Sequence, residues 1–309
     1  MKNIWIIAES LVSVAVMTAG SNELAADAPV TVFIQGDVQA AQDAFQYGAA
    51  QVYALPLNEK SLWEEDYLPV LVEKAKSEQP DFIMIGASKR CRDLAARMAA
   101  LLDAPCLSDA KKLASQGNAV CAEMMVYGGL AVKTVTAEAP VVLATISNQA
   151  YEPQTAGSAT GQATLLEACG TSANQVIARQ PRKAQSNNLA TAATVVGFGR
   201  GVAEQSEMGI VENLTRALQA EIACTRPIAE FFKWLPEESY IGVSGQVIKP
   251  QLYLAVGISG QAQHYYGIRD AKVIVSINKD PDALMNSSAD YYIVGDFKEV
   301  LPALEAALA

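Results

Sequence analysis

Short apolar runs alternate with longer amphipathic stretches along most of this 309-residue sequence. Residues 4–8 and 30–34 are compact runs of large apolar residues, many of them β-branched, as is typical of buried strands. Residues 62–77 and 88–102 have the apolar spacing of helices, and Ser88 is placed to cap the second of them. Strands that alternate with helices predict an α/β fold with a mainly parallel sheet, covered by helices on both faces.

Three further strand-like runs, at residues 119–126, 131–136 and 141–146, follow one another without a helix between them. A glycine pair separates the first two runs, and a Glu-Ala-Pro segment separates the last two. We therefore expect all three runs to form hairpin-like additions to the parallel sheet.

The second half of the sequence predicts a separate domain. Residues 179–188 are polar and lack apolar periodicity, and the alternation of strand and helix resumes at residue 193. The length also favours two domains. We predict an N-terminal α/β domain over residues 1–186 and a C-terminal domain over residues 187–309. Each is expected to be a mainly parallel sheet flanked by helices, and the second to be doubly wound.

Composition excludes several classes of function. The chain has 33 acidic and 23 basic residues, a net charge of −10, which argues against a nucleic-acid binder because such proteins present a basic face. Its five cysteines lack a CxxC spacing and it has one histidine, so no metal site is expected. The same cysteines fit reduced, cytoplasmic thiols better than a secreted framework of disulfides. No apolar stretch reaches the roughly 20 residues of a membrane span. Glu9 interrupts a weak likeness of residues 1–20 to a signal peptide.

The ends of the predicted strands in the second half are rich in glycine and in small polar or charged residues. Ligands of parallel sheets bind beyond the carboxyl ends of the strands. Glycine allows a ligand to approach the backbone closely, and a helix N-terminus offers N–H groups to a phosphate. A nucleotide-type cofactor is therefore the expected ligand, although the glycines could instead serve tight packing of the turns. These strand ends are residues 197–201, 225–226, 257–260, 278–280 and 295–296.

Two common site types fit the sequence poorly. The Gly-Phe-Gly-Arg-Gly segment at residues 197–201 does not have the G-x-G-x-x-G spacing, and Glu221 begins a strand where a ribose-binding acid would end one. A standard NAD site is therefore disfavoured. A serine hydrolase would need His264 as its base, but Ser259 does not lie in a G-x-S-x-G elbow.

Six motifs of the second half occur together in one order and spacing. They are GRGV at 199–202, CTRPIA at 224–229, YLAVGISGQAQH at 253–264, INKDP at 277–281, ADY at 289–291 and IVGD at 293–296. In this order they resemble the α subunit of electron transfer flavoproteins. The resemblance is close over residues 193–309 and looser in the first half, where it rests on YGGLA at 127–131. The TRPIAE and GGLA segments are similar to the bacterial branch linked to carnitine reduction, acyl-CoA metabolism and nitrogen fixation.

The resemblance implies an electron carrier and not an enzyme. Such proteins are αβ heterodimers with one FAD, held mostly by the C-terminal domain of the α subunit, so the first domain is expected to dock the β subunit. The implied electron donor is an acyl-CoA-type dehydrogenase, and the implied acceptor is a membrane quinone oxidoreductase or another acceptor. A second flavin in the β subunit, in place of AMP, would make the pair part of an electron-bifurcating complex. Two other functions stay open, a nucleotide-binding regulatory or sensor protein without redox function and a nicotinamide-dependent dehydrogenase.

The resemblance also implies which residues hold the cofactor. Arg226 is expected over the flavin ring, and with Ser244 and His264 it would tune the flavin by charge and by hydrogen bonds. The full set of expected cofactor-binding residues is Arg200, Thr225, Arg226, Ile241, Gly242, Val243, Ser244, Ser259, Gly260, Gln261, Ala262, Gln263, His264, Asn278, Asp296 and Phe297. Of these, the last three would contact the adenosine side.

Two of these residues depart from the family pattern, and others could have ordinary structural roles instead of binding the cofactor. Val243 replaces the usual glutamine, and Ser244 replaces threonine but keeps a hydroxyl. Arg226 could instead form a surface salt bridge and Arg200 could be a solvated charge. Thr225, Asn278 and Asp296 could cap strand-end turns. For His264 we expect an imidazole hydrogen bond to the pyrimidine side of the flavin, against the alternative of an ordinary packed histidine.

Overall fold

The computed structural model describes residues 3–117, 119–147, 149–155, 157, 160–170, 174–179 and 188–308. The chain divides into two compact units, the first consisting of Met1–Val126 and Ala131–Pro181 and the second of Tyr127–Leu130 and Arg182–Ala309. The boundary predicted between residues 186 and 187 lies outside the described residues, so that division stays a prediction.

The first unit is built on one large sheet. Its strands are β1 (Ile4–Ala8), β2 (Val30–Gln35), β3 (Gln51–Leu55), β4 (Phe82–Gly86), β5 (Cys106–Gln116), β6 (Ala119–Val126), β7 (Ala131–Ala137), β8 (Val142–Ile146) and β9 (Thr164–Leu165). They lie in the order β7-β6-β5-β8-β4-β1-β2-β3-β9. All pairs are parallel except β5 with β6 and β6 with β7, which are antiparallel. The predicted mainly parallel sheet is confirmed.

Helices cover both faces of this sheet, because its central strands are apolar on both sides. Ile4 and Ile6 of β1 pack into one cluster with the first helix, and Trp5 and Ile7 pack into another with the third and fourth. Ser88 caps the fourth helix by accepting from the backbone N–H of Cys91 at 3.1 Å, as predicted. The helices are α1 (Leu11–Ala25), α2 (Val38–Ala41), α3 (Trp63–Glu78) and α4 (Lys89–Leu102), and α2 continues as a 3-10 helix over Gln42–Tyr47.

Two features of the first unit differ from the predictions. The expectation that β8 is a hairpin-like addition is wrong, because β8 lies between β4 and β5 and is parallel to both. All five residues of β8 are buried, and a strand that is apolar on both faces is stable only inside the sheet. The sequence pattern also missed β5, whose mixture of polar and apolar residues leaves it partly exposed.

The second unit contains a five-stranded sheet in which every pair is parallel. Its strands are β10 (Thr194–Phe198), β11 (Glu221–Cys224), β12 (Leu252–Val256), β13 (Ile274–Asn278) and β14 (Tyr291–Val294), in the order β11-β10-β12-β13-β14. The chain moves outward from β10 to β11 and then crosses to the other side of β10 to start β12. That reversal is the switch point of a doubly wound sheet, so this part of the fold prediction is confirmed.

The helices of the second unit are α5 (Met208–Ala217), α6 (Ala262–Tyr265), α7 (Leu284–Ser288) and α8 (Phe297–Leu308). A 3-10 turn at Gln205–Glu207 precedes α5. The edge strand β14 is exposed along its whole length, although all four of its residues are apolar or aromatic. In the described ranges, no helix combines the length and apolarity that a bilayer crossing requires.

Candidate functional site

A cleft of about 940 Å³ opens at the carboxyl ends of the strands of the second unit. Its walls come from the turns that follow β10, β11, β12 and β13, so it lies at the switch point between β10 and β12. Sites for cofactors and other small molecules commonly have volumes of roughly 300–1,000 Å³. The structure thus places a ligand-sized cleft where the strand-end pattern of the sequence predicts one.

The floor of the cleft is made of glycine backbone. The N–H of Gly199 donates to the carbonyl of Val256, and that of Gly201 donates to the carbonyl of Gly257, both at 2.9 Å. A Cβ atom at Gly201 would lie 2.5 Å from the Cα of Gly257, and Gly257 itself has a φ of +58°. These glycines therefore hold the ends of β10 and β12 backbone to backbone, and they also leave the floor open to a ligand.

Two arginines bring positive charge to the cleft, and both are exposed. Arg200 follows β10, and Arg226 follows β11. The Nε of Arg226 donates to a carboxylate oxygen of Glu230 at 2.6 Å, and this ion pair raises the pKa of Arg226. The salt bridge that was considered as an alternative role for Arg226 is therefore present. Arg226 nevertheless lines the cleft.

A short loop over residues 241–244 forms one wall. The N–H of Val243 donates to the carbonyl of Gln263 at 3.0 Å, which fastens the loop to the segment around α6. Gly242 has a φ of +151°, and a Cβ atom there would meet the same carbonyl oxygen at 2.8 Å. The hydroxyl of Tyr240 donates to Oγ of Ser244 at 2.8 Å, while Val243 and Ser244 themselves are exposed at the cleft.

His264 lies at the inner end of the cleft and is only 6% exposed. Its Nδ1 is 3.1 Å from the carbonyl oxygen of Ile241, and its Nε2 is 2.9 Å from the hydroxyl of Tyr253. A carbonyl oxygen only accepts, so the neutral ring carries its hydrogen on Nδ1, and Nε2 accepts from the tyrosine. Burial lowers the pKa of His264 to about 4, which keeps the ring neutral near pH 7. Both ring nitrogens therefore have partners within the protein, and the expected hydrogen bond from His264 to a flavin, which would need a free ring N–H, stays a prediction.

Residues expected on the adenosine side have structural partners of their own. The amide of Asn278 donates to the carbonyl of Ile258 at 2.9 Å, and a carboxylate oxygen of Asp296 accepts from the N–H of Lys298 at 2.9 Å. Asp296 and Phe297 line a smaller cavity of about 90 Å³ that shares Asn278 with the main cleft. Asn278 and Asp296 therefore do stabilise strand-end turns, and their contact with a cofactor stays a prediction.

Most of the predicted residues line the main cleft, and four do not: Asp296 and Phe297 line the smaller cavity, and Gly260 and Ala262 line neither. Gly260 packs closely against α7, since a Cβ atom at this position would lie 2.1 Å from the backbone N of Met285. Its φ of +83° also favours glycine. Ala262 begins α6 and is also absent from the wall. The predicted residues that the cleft brings together are Arg200, Thr225, Arg226, Ile241, Gly242, Val243, Ser244, Ser259, Gln261, Gln263, His264 and Asn278.

Several lining residues were missed in the sequence. Phe232 and Tyr240 are aromatic residues of the wall. Ile258, which lies in the predicted strand end 257–260 but outside the predicted cofactor-binding set, contributes an apolar surface next to the glycine floor. Tyr240 directly precedes the predicted loop at 241–244, so its position was an available signal. Phe232 stacks on Trp234 with ring centroids 5.1 Å apart, a relation that no spacing rule predicts.

The doubly wound sheet and its glycine-floored cleft define a nucleotide-cofactor protein of the α/β class. Residues 188–269 match the electron transfer flavoprotein FAD-binding domain, and residues 8–171 match the electron transfer flavoprotein domain. The chain belongs to the electron transfer flavoprotein family, with an α-type FAD-binding domain. Members of this family work as electron carriers, and an α-type subunit pairs with a β subunit.

Proteins of similar length match the whole chain. YdiR of Escherichia coli strain K12, provisionally named as an electron transfer flavoprotein subunit, is 35% identical to this chain. The match covers 100% of this chain and 99% of the length of YdiR. FixB of Escherichia coli strain E2348/69 and FixB of Shigella dysenteriae are each 35% identical over 99% of this chain and 98% of their own. A solved Mycobacterium smegmatis structure, described as that of a thiamin diphosphate-dependent enzyme, aligns at 13% identity over 96% of this chain and 54% of its own. Its TM-score of 0.25 is too low to inform the fold.

FAD is the cofactor of this domain, and the residues of the cleft suit it. A dinucleotide needs a long site, backbone that can approach its diphosphate, and a flat apolar wall for its ring. The cleft supplies about 940 Å³, a floor of glycine backbone, and apolar walls from Pro227, Ile241 and Ile258. The guanidinium groups of Arg200 and Arg226 match the negative charge of the diphosphate and of a reduced ring.

Proposed function

We propose that this chain is the FAD-bearing subunit of a carrier that takes electrons from an acyl-CoA-type dehydrogenase. It passes them to a quinone oxidoreductase or to another acceptor. The observation that carries this proposal is the cleft itself, in which a cation, a hydroxyl and a neutral imidazole line the wall. These groups are Arg226, Ser244 and His264. They suit the tuning of a redox cofactor, since bound FAD supplies the electron chemistry and the protein supplies position and electrostatics.

Each part of the cleft has a proposed role. Arg226 places positive charge beside the flavin ring and stabilises its reduced, negative form. Ser244 offers a hydroxyl to the ring, and Val243, in place of the family's glutamine, offers only its backbone and apolar surface. Arg200 and the glycine floor hold the diphosphate. The adenosine side falls to Asn278, Asp296 and Phe297, next to the smaller cavity.

The first unit, by this proposal, docks the β subunit, because the cofactor cleft is built from strand ends of the second unit. We place the carrier in the cytoplasm. The thiols of Cys91 and Cys224 are buried, which raises the pKa of each to about 12 and keeps them protonated and unreactive. The likeness to FixB and YdiR supports the bacterial Fix-type branch as the metabolic setting.

The decisive experiment is co-expression with the β subunit, followed by absorbance spectroscopy and a count of flavins per heterodimer. We expect a yellow complex that accepts electrons from a reduced acyl-CoA dehydrogenase. One flavin per heterodimer supports a simple carrier, whereas two support an electron-bifurcating complex. A colourless complex with bound adenine nucleotide would favour the sensor alternative. A complex that transfers hydride only to or from a nicotinamide would favour a dehydrogenase.

A further inference from the structure

Tyr253 lies beneath the cleft and does not line it. It is a residue of β12, its side chain is fully buried, and its hydroxyl oxygen is 2.9 Å from Nε2 of His264. The hydroxyl therefore connects the interior of the sheet to a residue on the inner wall of the cleft. The role that the proposed function gives to His264 does not include this connection.

Gly197 makes room for that hydroxyl. Val195 of β10 is the register partner of Tyr253, and Gly197 lies two residues further along β10, on the same face of the sheet. A Cβ atom at Gly197 would be 1.9 Å from the tyrosine hydroxyl oxygen and 2.6 Å from Cζ. Any side chain at this position would push the tyrosine away from His264. The first glycine of the Gly-Phe-Gly-Arg-Gly segment thus accommodates a tyrosine and not a phosphate.

The partners of His264 leave one arrangement of hydrogens. The carbonyl of Ile241 takes the hydrogen on Nδ1, so the neutral ring has a lone pair on Nε2, and the hydroxyl of Tyr253 donates to it. The nearby thiol of Cys224 is buried and protonated, so it adds no negative charge that would favour an imidazolium. Two fixed partners on opposite sides of the ring also fix its plane.

We propose that Tyr253 is a positioning residue of the redox site. Burial and the carbonyl of Ile241 set the neutral Nδ1–H form of His264, and the hydroxyl of Tyr253 keeps Nε2 occupied as an acceptor, so that the imidazole meets the flavin without a positive charge. The effect on the flavin rests on the proposed function, whereas the effect on His264 does not. Without the hydroxyl, burial still keeps the ring neutral while the flavin is oxidised, but Nε2 is vacant. The negative charge of the reduced ring would then favour a proton on Nε2, and that proton would place positive charge close to the reduced ring.

The test uses the fact that the chain contains one histidine. The full-length chain is labelled with ¹⁵N-histidine and studied, alone and with the unlabelled β subunit, by two-bond ¹H–¹⁵N correlation at pH 7. We expect a hydrogen on Nδ1 and none on Nε2. In Tyr253→Phe we expect the Nε2 resonance to move downfield, since it loses an accepted hydrogen bond. A hydrogen on Nε2 in the wild type, or an unchanged Nε2 resonance in Tyr253→Phe, would overturn the proposal.

Tyr67→Phe is the matched control. Tyr67 is also buried, and its hydroxyl also donates a hydrogen bond, to the carbonyl of Pro56 at 3.0 Å in the first unit. Its loss should leave the His264 spectrum unchanged, so a general effect of deleting a buried hydroxyl can be recognised.

A redox titration of the FAD-loaded heterodimer completes the test. We expect Tyr253→Phe to keep the flavin content of the wild type and to raise the midpoint potential of the flavin. An unchanged potential, with the Nε2 resonance moved, would overturn the role of Tyr253 at the redox site. A heterodimer that binds no FAD would instead contradict the proposed function, and the spectrum of His264 would still decide the positioning by Tyr253.

Discussion

Arg226 and Glu230 form an ion pair across a single turn of π-helix at Pro227–Phe231, with 2.6 Å between Nε and the carboxylate oxygen. Pro227 fixes the backbone at the start of this turn, so the two side chains project from a defined frame. The pair has two opposite effects on the cleft. It holds the guanidinium in place, and it offsets part of the positive charge that Arg226 brings to the ring.

Loss of the cation should make the flavin harder to reduce. In Arg226→Ala we expect FAD to stay bound, because the diphosphate and adenosine are held elsewhere, and the midpoint potential to fall. Potentiometric titration of the heterodimer measures this shift. Arg216→Ala is the control, since Arg216 is a cation of α5 that pairs with Asn213 away from the cleft. Equal potentials for wild type and Arg226→Ala would remove Arg226 from the redox site.

Loss of the carboxylate should act in the opposite direction. In Glu230→Gln the charge of Arg226 is no longer offset, so we expect a higher midpoint potential than in the wild type. The double variant with Arg226→Ala separates the two effects, because Glu230→Gln should then change the potential little. If Glu230→Gln shifts the potential equally with and without Arg226, the carboxylate acts on the flavin by itself.

His264 should make stability depend on pH. Its pKa is about 4 in the folded chain against an ordinary 6.5, so the unfolded chain binds the extra proton between these values and stability falls as pH falls through that window. For the wild type we expect a loss of about 2 kcal/mol from this group between pH 7 and pH 5. Denaturant unfolding of wild type and His264→Gln at both pH values measures it. The variant should lose less stability by that amount, and equal losses would show that folding does not lower the pKa of His264.

Two glycine-to-alanine substitutions should have opposite signs. At Gly201 the new Cβ would meet Gly257 backbone at 2.5 Å, so we expect a loss of ~1–3 kcal/mol in unfolding free energy and of FAD affinity. At Gly209, in α5, nothing lies within 4 Å of a new Cβ, so alanine should stabilise the chain by ~0.5–1 kcal/mol. Thermal unfolding of the two variants compares them directly. A stable, FAD-binding Gly201→Ala would contradict the close packing of the floor.

The chain should depend on its partner subunit for solubility or for flavin content. Strand β14 is an exposed edge that carries Tyr291, Tyr292, Ile293 and Val294, and such edges promote association of separate chains. We expect the chain expressed alone to aggregate or to hold little FAD, and to bind FAD well with the β subunit. Size-exclusion chromatography with absorbance detection tests both properties. A stable, fully flavinated monomer at micromolar concentration is the contrary result.

The sequence predicted the architecture well where one physical rule decides the outcome. Strand β1 was located to the residue and strand β2 to within one residue, because each is a compact apolar run. The cleft followed from the rule that ligands bind at the carboxyl ends of parallel strands. The reason for Gly197 could not be predicted, since the tyrosine that it accommodates is far along the chain. The Glu230 partner of Arg226 has the i,i+4 spacing of a helical ion pair, but it was missed because no helical turn was predicted at Pro227–Phe231.

The position of β8 affects how the first unit can be assembled during synthesis. β1 to β4 and the antiparallel group β5 to β7 are all made before β8, yet β8 lies between β4 and β5 and pairs with both. Until residue 146 leaves the ribosome, β4 and β5 each present an unpaired edge, and non-local pairing of this kind is slow. The two parts of the sheet are therefore joined in its middle, after both have been made, and the edge strand β9 is added later. A chain that stops before residue 142 lacks β8, so it has two groups of strands with unpaired edges that can associate with other chains, and it does not form a smaller version of the same domain.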